Sequence, residues 1–474
     1  MIEMRLAEVA AVTGGRLHRA TGDEPVTGVE FDSRKVGPGG LFLALPGERA
    51  DGHDFAAAAV AAGASAVLAG REVDAPAVIA PPAEDSFAGT DLGDADPDGS
   101  GAAVLTALGK LARHSVTHLP ELQVVGVTGS SGKTSTKDLI AAVLRPLGET
   151  VAPPGSFNNE LGHPWTALRA GAGTRHLVLE LSARGPGHIA RLCRVAPPRI
   201  GAVLNVGSAH VGEFGSPEAI AQAKGELVEA LPAAAEGGVA VLNLDDPRVA
   251  AMASRTAARV VGYGTGGAVH AADVRLEAGR AAFRLVTPAG EAPVALKLVG
   301  EHHVGNALAA AAVALELGGT PEGIAEALSG AGAASRWRME VTDRADGVTV
   351  VNDAYNANPE SMTAALRALT AIGGGTRRTW AVLGPMAELG DTAPAAHAQV
   401  ADVVRELGVD RFVAVGTDLY GTDRTTERVA DREAAAALLA EEVRAGDVVL
   451  VKASRSAGLD RLAAALLEQE LIRQ

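Results

Sequence analysis

Short apolar runs separated by longer amphipathic stretches fill the middle of the chain: VVGV at 124–127, LVLEL at 177–181, AVLNV at 202–206 and VAVLN at 239–243. Runs of this length, rich in valine and leucine, predict strands buried on both faces, and the stretches between them predict helices. Strand and helix in alternation imply a mostly parallel sheet covered on both sides. Residues 268–299 alternate in a way that predicts an antiparallel insert, with helices following at 302–317 and 321–329. Past GAGAASRW the alternation restarts with VTVVND, TWAVLG, RFVAVG and DVVLVK as strands, which predicts a second, Rossmann-like α/β domain. Ahead of all this, residues 1–80 mix short elements: GLFLALPG reads as a buried strand closed by a Pro-Gly turn, and 55–70 as a core helix followed by a strand.

Composition supports an α/β fold with several cores. The chain has 474 residues, enough for about three domains on a prior of roughly 150 residues each. We expect them at 1–119, 120–331 and 332–474: a small α/β N-terminal domain, a central sheet domain and a C-terminal Rossmann-like domain. The segment 83–101 holds six acids and no base, and reads as a solvated loop before a helix at 101–118 and the Pro120 break. Formal charge is 42 minus 57, or −15, which argues against nucleic acid or an anionic membrane surface as the main partner. Cys193 is the only cysteine, so an intrachain disulfide and a cysteine zinc site are both excluded, and a buried thiol is expected. No export signal or membrane-spanning stretch is read, so a cytoplasmic protein, expected to be monomeric, follows.

Chemistry enters at LQVVGVTGSSGKTST, residues 122–136. A strand runs into Thr128-Gly129-Ser130-Ser131-Gly132-Lys133-Thr134-Ser135 and then into a helix. Glycines there let backbone N–H groups point at phosphate oxygens, Lys133 reaches terminal phosphates, and the Thr134 hydroxyl takes a Mg²⁺ position. ATP and Mg²⁺ are therefore the expected cofactors. The spacing departs from the general G-x-x-x-x-G-K-[ST] pattern, because Val127 stands at the first glycine position. In that departure the loop resembles the ATP loop of the Mur ligase and folylpolyglutamate synthetase superfamily.

The resemblance extends to nearly the whole chain and implies further roles. Glu180, at the end of LVLEL, matches the family's metal-binding glutamate. His210 in NVGSAHVGEF matches a histidine that holds a second Mg²⁺, and Lys224 in QAKGEL a lysine that is carbamylated. A bare ammonium cannot coordinate a cation, so that modification is what would make the lysine a ligand. With Lys133, these form the expected catalytic set. In GEHHVGNALA, Asn306 keeps the second asparagine of an adenine-binding phrase, while His303 stands where the first is expected. Arg336 in SRWRME matches an arginine that reaches ATP phosphate, with Arg338 close by, and Asp353 at a strand end suits the ribose.

Three phrases point to substrates. VVNDAYNANPESM, with Tyr355, Asn356 and Asn358 before a helix opened by Pro359, is either an Asx-rich helix cap or a substrate loop. As a string it resembles the branch of the family that joins D-alanyl-D-alanine to a UDP-N-acetylmuramoyl-tripeptide. SFNNELGHPWTAL, with Asn158 and Asn159, resembles a family substrate loop, and FDSRKVGPGGLFLALPGERADGHDF resembles a uridine-nucleotide domain, with Ser33, Arg34 and His53 as candidate contacts. The implied reaction is ATP-dependent peptide ligation through an acyl phosphate, in peptidoglycan precursor synthesis. Three rivals remain open. One is the neighbouring ligase that adds a diamino acid, whose DNPR phrase this chain lacks. The others are a folylpolyglutamate synthetase-like ligase and a nucleotide-controlled binding module without ligase chemistry.

Overall fold

The computed structural model describes residues 1–47, 50–83, 87, 95–207, 211–421 and 426–468. Its contacts divide the chain into two compact units: residues 1–126, 148–201 and 230–232, and residues 127–147, 202–229 and 233–474. The fold is the expected α/β one.

In the first unit, the strands Arg16–His18, Ala77–Ile79, Ala66–Ala69, Gly40–Leu43 and Gly28–Glu30 lie side by side in that order. All pairings are parallel except the first. Gly40–Leu43 and Ala66–Ala69 are the expected strands, and the helix Ala56–Ala61 covers the core formed by Phe42, Ala59, Val67 and Ile79. A longer helix, Ser100–Thr117, buries one face of leucine, valine and alanine against Leu6–Thr13, Gly162–Ala167 and His188–Val195. Its start is held by the acidic segment: Asp96 accepts from the backbone N–H groups of Gly101 and Ala102, and Asp98 from Ser100. Two of the six acids in that stretch are thus helix caps. Phe87 in the same stretch is buried, with the Arg191 guanidinium 4.9 Å from its ring centre. Cys193 is buried as expected.

A six-stranded sheet has the order Arg259–Tyr263, Val239–Asn243, Ile200–Val203, Gln123–Thr128, His176–Glu180, Thr150–Val151.

In the second unit the antiparallel insert is a three-stranded sheet, His270–Glu277, Arg280–Thr287 and Gly290–Val299, backed by the helix Pro321–Gly330. The helix His303–Glu316 lies along Lys133–Leu144. Eight consecutive residues of it, Ala307 to Ala314, are buried, and six of them are alanine. Methyl side chains let the two backbones approach closely at little entropic cost.

The C-terminal sheet runs Glu340–Asp343, Thr349–Asn352, Val448–Lys452, Thr379–Leu383, Arg411–Val415, Thr426–Val429. Only the first pairing is antiparallel. Alternate residues feed two cores. Val351, Leu383, Phe412 and Leu450 face helices Pro359–Gly373 and Ala393–Glu406. Val350, Trp380, Val413 and Val449 face Arg432–Glu442 and Asp460–Glu468.

Candidate active site

Gln123–Thr128 delivers the chain to the glycine-rich loop, and Lys133–Leu144 carries it away. Gly132 adopts φ +79°, a left-handed conformation, and a Cβ there would stand 2.8 Å from the Asn306 side-chain oxygen. Both facts require glycine at this turn. Ser130 and Ser131 each donate a backbone N–H to the Asn205 side-chain oxygen at 2.9 Å, and the Asn205 amide donates back to the Ser131 carbonyl at 3.2 Å. The Ser130 hydroxyl accepts from the Gly207 N–H at 2.9 Å. Asn205 is therefore the staple that sets the loop's shape, a role its place after an apolar strand does not announce. Lys133 donates from Nζ to the Gly129 carbonyl at 2.7 Å, curling over the loop, and Thr134 is buried in the first helical turn.

Asn306 is buried beside Gly132, and its amide lies 3.3 Å from His303 Nδ1. Burial pushes the pKa of His303 well below the usual histidine range, so its ring is neutral at pH 7. Lys224, on the helix Pro217–Glu229, is 3% exposed. Burial, and then the positive charge of Lys133, push its amine well below the usual lysine range. Its neutral form is thereby favoured. A neutral buried amine is the nucleophile that carbamylation by CO₂ needs. Ser135 is half-buried at the helix start. His210 lies outside the described residues.

At the carboxyl edge of the C-terminal sheet, Asp353 is hydrogen-bonded through both oxygens. One oxygen accepts from the Met339 N–H at 3.0 Å and the other from Lys452 Nζ at 2.6 Å, with Lys452 2% exposed. Lys452 also donates to the Asn356 carbonyl at 2.8 Å. The Asn356 side chain accepts from the Ala357 N–H at 2.9 Å. Asn358 is the N-cap of Pro359–Gly373: its oxygen accepts from the Ser361 N–H at 2.9 Å, and the Ser361 hydroxyl accepts from the Asn358 N–H at 3.1 Å. Tyr355 is half-buried with Arg338 stacked on its ring, and Arg336 is exposed.

The first unit holds the other candidates. Glu180 is 1% exposed and accepts from the Asn158 amide at 2.8 Å, while Ser182 donates to the Asn158 side chain at 3.1 Å. Asn159 caps the next helix by accepting from the Gly162 N–H. Phe31, Phe157 and Trp165 pack ring on ring, with centres 6.0, 5.5 and 4.9 Å apart. This cluster brings the FDSR and SFNN phrases, and so Ser33 and Asn158, into one neighbourhood. In a chain with 3% aromatics, the placement of Phe31 and Phe157 inside those phrases was the available signal. Arg34 chelates Asp32 at 2.8 and 2.9 Å and holds that carboxyl down to about 2. His53 uses both ring nitrogens within the fold, Nδ1 at 2.6 Å from Asp51 and Nε2 accepting from the Gly70 N–H at 3.1 Å.

A strand, a glycine-rich loop and a helix that starts on lysine and threonine, set in a parallel sheet, define a nucleotide-binding α/β protein of the P-loop type. Known proteins narrow this class. The sequence matches the Mur ligase family catalytic domain over residues 25–88, the Mur ligase middle domain over 127–314 and the Mur ligase glutamate ligase domain over 337–455. It is 53% identical to the UDP-N-acetylmuramoyl-tripeptide--D-alanyl-D-alanine ligase of Mycobacterium tuberculosis (strain ATCC 25618 / H37Rv), over 99% of both chains. Among solved structures it resembles MurF from Acinetobacter baumannii, with TM-score 0.84 and 30% identity over 98% of this chain and 99% of that one. It also resembles the MurF ligase of Thermotoga maritima in complex with ADP, with TM-score 0.79 and 29% identity over 95% and 99%. The chain belongs to the Mur ligase family.

Proposed function

We propose that this chain is an ATP-dependent ligase that joins D-alanyl-D-alanine to a UDP-N-acetylmuramoyl-tripeptide in peptidoglycan precursor synthesis. The observation that carries this reading is the end-to-end similarity, at 53% identity, to an enzyme of that name. Residues 1–119 are assigned to the uridine-nucleotide substrate, 120–331 to ATP and 332–474 to completing the ligase site. The diamino-acid-adding and folate-type rivals are disfavoured by the same similarity.

A carboxylate and an amine do not condense in neutral water, because the carboxylate carbon is a poor electrophile. The tripeptide's terminal carboxylate oxygen attacks the γ-phosphorus of ATP. An O–P bond forms, the β–γ bridging bond breaks, and ADP leaves with an acyl phosphate behind. The dipeptide's free amine then attacks the acyl carbon, loses a proton, and phosphate departs with its oxygen. Lys133 and the loop N–H groups offset the repulsion between the anions that must meet, the term expected to dominate. Oxygen donors suit Mg²⁺, so Thr134 and Glu180 would hold one ion, and the family resemblance assigns His210 and a carbamylated Lys224 to a second. Bound Mg²⁺ would supply charge neutralisation on the phosphates. We assign the enzyme to the cytoplasm as a monomer; among the described residues no helix is long and apolar enough to cross a membrane.

The test is ADP release with ATP, Mg²⁺ and UDP-N-acetylmuramoyl-tripeptide, with D-alanyl-D-alanine present or omitted, and mass analysis of the product. Ligation predicts dipeptide-dependent ADP and a product heavier by the dipeptide less water. ADP release indifferent to the dipeptide would reduce the chain to an ATPase or a nucleotide-controlled module.

A further inference from the structure

Two aromatic rings in the second unit are each flanked by a pair of arginines, and the pairs differ. Around Trp380, the guanidiniums of Arg378 and Arg411 stand 4.9 and 4.6 Å from the ring centre. Both are neutralised, Arg378 by Asp447 at 2.6 Å and Arg411 by Glu427 at 2.7 Å. Around Tyr355, Arg338 and Arg455 stand 4.2 and 5.7 Å from the ring centre, and Arg455 also lies 4.0 Å from the ring centre of Trp337. Neither has a carboxylate within ion-pairing distance among the described residues. Glu340, two residues from Arg338, accepts from the Trp337 N–H, and Asp353, two residues before Tyr355, is engaged by Lys452 and the Met339 N–H. In a chain with fifteen more acids than bases, two converging cations left without a counter-ion mark a place where the anion comes from outside.

The backbone around this pair is held at a cost. Trp337 and Met339 adopt φ +59° and +48°, left-handed values that a residue with a side chain takes up only when its surroundings impose them. Glu340 accepts from the Trp337 N–H at 3.1 Å and the Trp337 carbonyl accepts from the Tyr355 N–H at 3.3 Å, which together fix the indole under Arg455. Arg455 itself sits in the turn Arg455–Ala457 directly after the strand Val448–Lys452, and is exposed. A guanidinium packed on aromatic rings keeps its in-plane N–H fork available for hydrogen bonding, which suits two-point capture of a planar carboxylate.

We propose that Arg455, positioned by Trp337 and Tyr355, binds the C-terminal carboxylate of the incoming dipeptide, with Arg338 adding a second positive charge. This rests on the ligase reading above and deepens it. D-Alanyl-D-alanine must present its amine uncharged to attack, so its carboxylate is the one charge it retains and the natural handle for orienting it. Arg455 rather than Arg338 is the primary contact because it is exposed and lies on both rings, whereas Arg338 is half-buried.

The experiment measures steady-state ligation by wild type, Arg455→Ala and Arg455→Lys, each with D-alanyl-D-alanine and with its C-terminal amide. Loss of a charge-assisted pair predicts that Arg455→Ala raises the dipeptide KM at least about tenfold, with the KM values for ATP and the UDP-linked substrate within about twofold of wild type. Wild type should be impaired with the amide by a similar factor, Arg455→Ala should be indifferent to the amide substitution, and Arg455→Lys should recover part of the loss. An unchanged dipeptide KM, a rise confined to ATP or the UDP-linked substrate, or an equal amide penalty in wild type and variant overturns the assignment. Wild-type enzyme that shows no dipeptide-dependent turnover refutes the ligase reading itself. A merely unfolded variant is recognised by a lowered Tm and by all three KM values or kcat failing together, and Arg455→Lys then decides the outcome.

Discussion

The glycine-rich loop at 129–134 and the polar loop at 353–358 are both short, both follow a strand of a parallel sheet and both lead into a helix, yet they spend their polar groups in opposite ways. In the first, a side chain from elsewhere, Asn205, shapes the backbone, and the loop's own Lys133 and Thr134 stand in the first turn of the helix that follows. In the second, most of the polar side chains are consumed by the fold: Asp353 by Lys452, Asn356 by its neighbour's N–H, Asn358 by the helix it caps. Polar density in a sequence therefore measures demand for hydrogen bonds, and only a partner census says whether that demand is met at home or by a substrate.

The contrast can be broken from either side. The largest effect is expected at Lys452→Met, which strands the Asp353 carboxylate in a site where the lysine is 2% exposed. Breaking such a pair should cost about 3 kcal/mol of stability, read as a fall in the denaturation midpoint, and a shift under about 1 kcal/mol would show that the polar loop is not a structural device. Next is Lys133→Ala, expected to lower turnover at least about 10²-fold while leaving the midpoint nearly unchanged; a loss under about tenfold would remove Lys133 from its assigned role. Asn205→Ala leaves the Ser131 N–H without its acceptor and the Ser130 N–H with only the Asn205 backbone carbonyl, and should cost about 1 kcal/mol or more, together with a raised KM for ATP. If that KM stays put, the loop keeps its shape without the staple. Smallest is Asn358→Ala, the loss of one helix cap, worth about 1 kcal/mol with kinetics preserved. A selective rise in dipeptide KM would instead make Asn358 a substrate contact.

Much of the architecture was legible in the chain because it rests on period and length. VAVLN, TWAVLG and DVVLVK are apolar throughout, as strands buried on both faces must be, and the loop glycines mark their own conformation. The edge strands Glu340–Asp343 and Thr426–Val429 escaped notice because an edge needs few buried side chains, and EVTD and TERV are largely polar. Among candidate site residues, Lys133 and Thr134 were named from the loop pattern itself, since they follow its glycines directly. Asn205 and Lys452 were not, because each acquires its meaning from groups distant in sequence: the Asn205 amide meets a loop 74 residues away, and Lys452 an aspartate 99 away. Arg455 left a weaker trace still, since nothing in a string says which arginines will lack an acid.

The alanine run in His303–Glu316 has one more implication. Methyl groups have no rotamers to exchange, so the seat beneath the helix Lys133–Leu144 cannot be adjusted by side-chain repacking. An enlargement there presses on the helix Lys133–Leu144, which begins directly after Gly132. The spacing between these two helices is thus set by methyl groups, and enlarging an alanine on the face that meets Lys133–Leu144 should alter nucleotide handling from a position outside the loop.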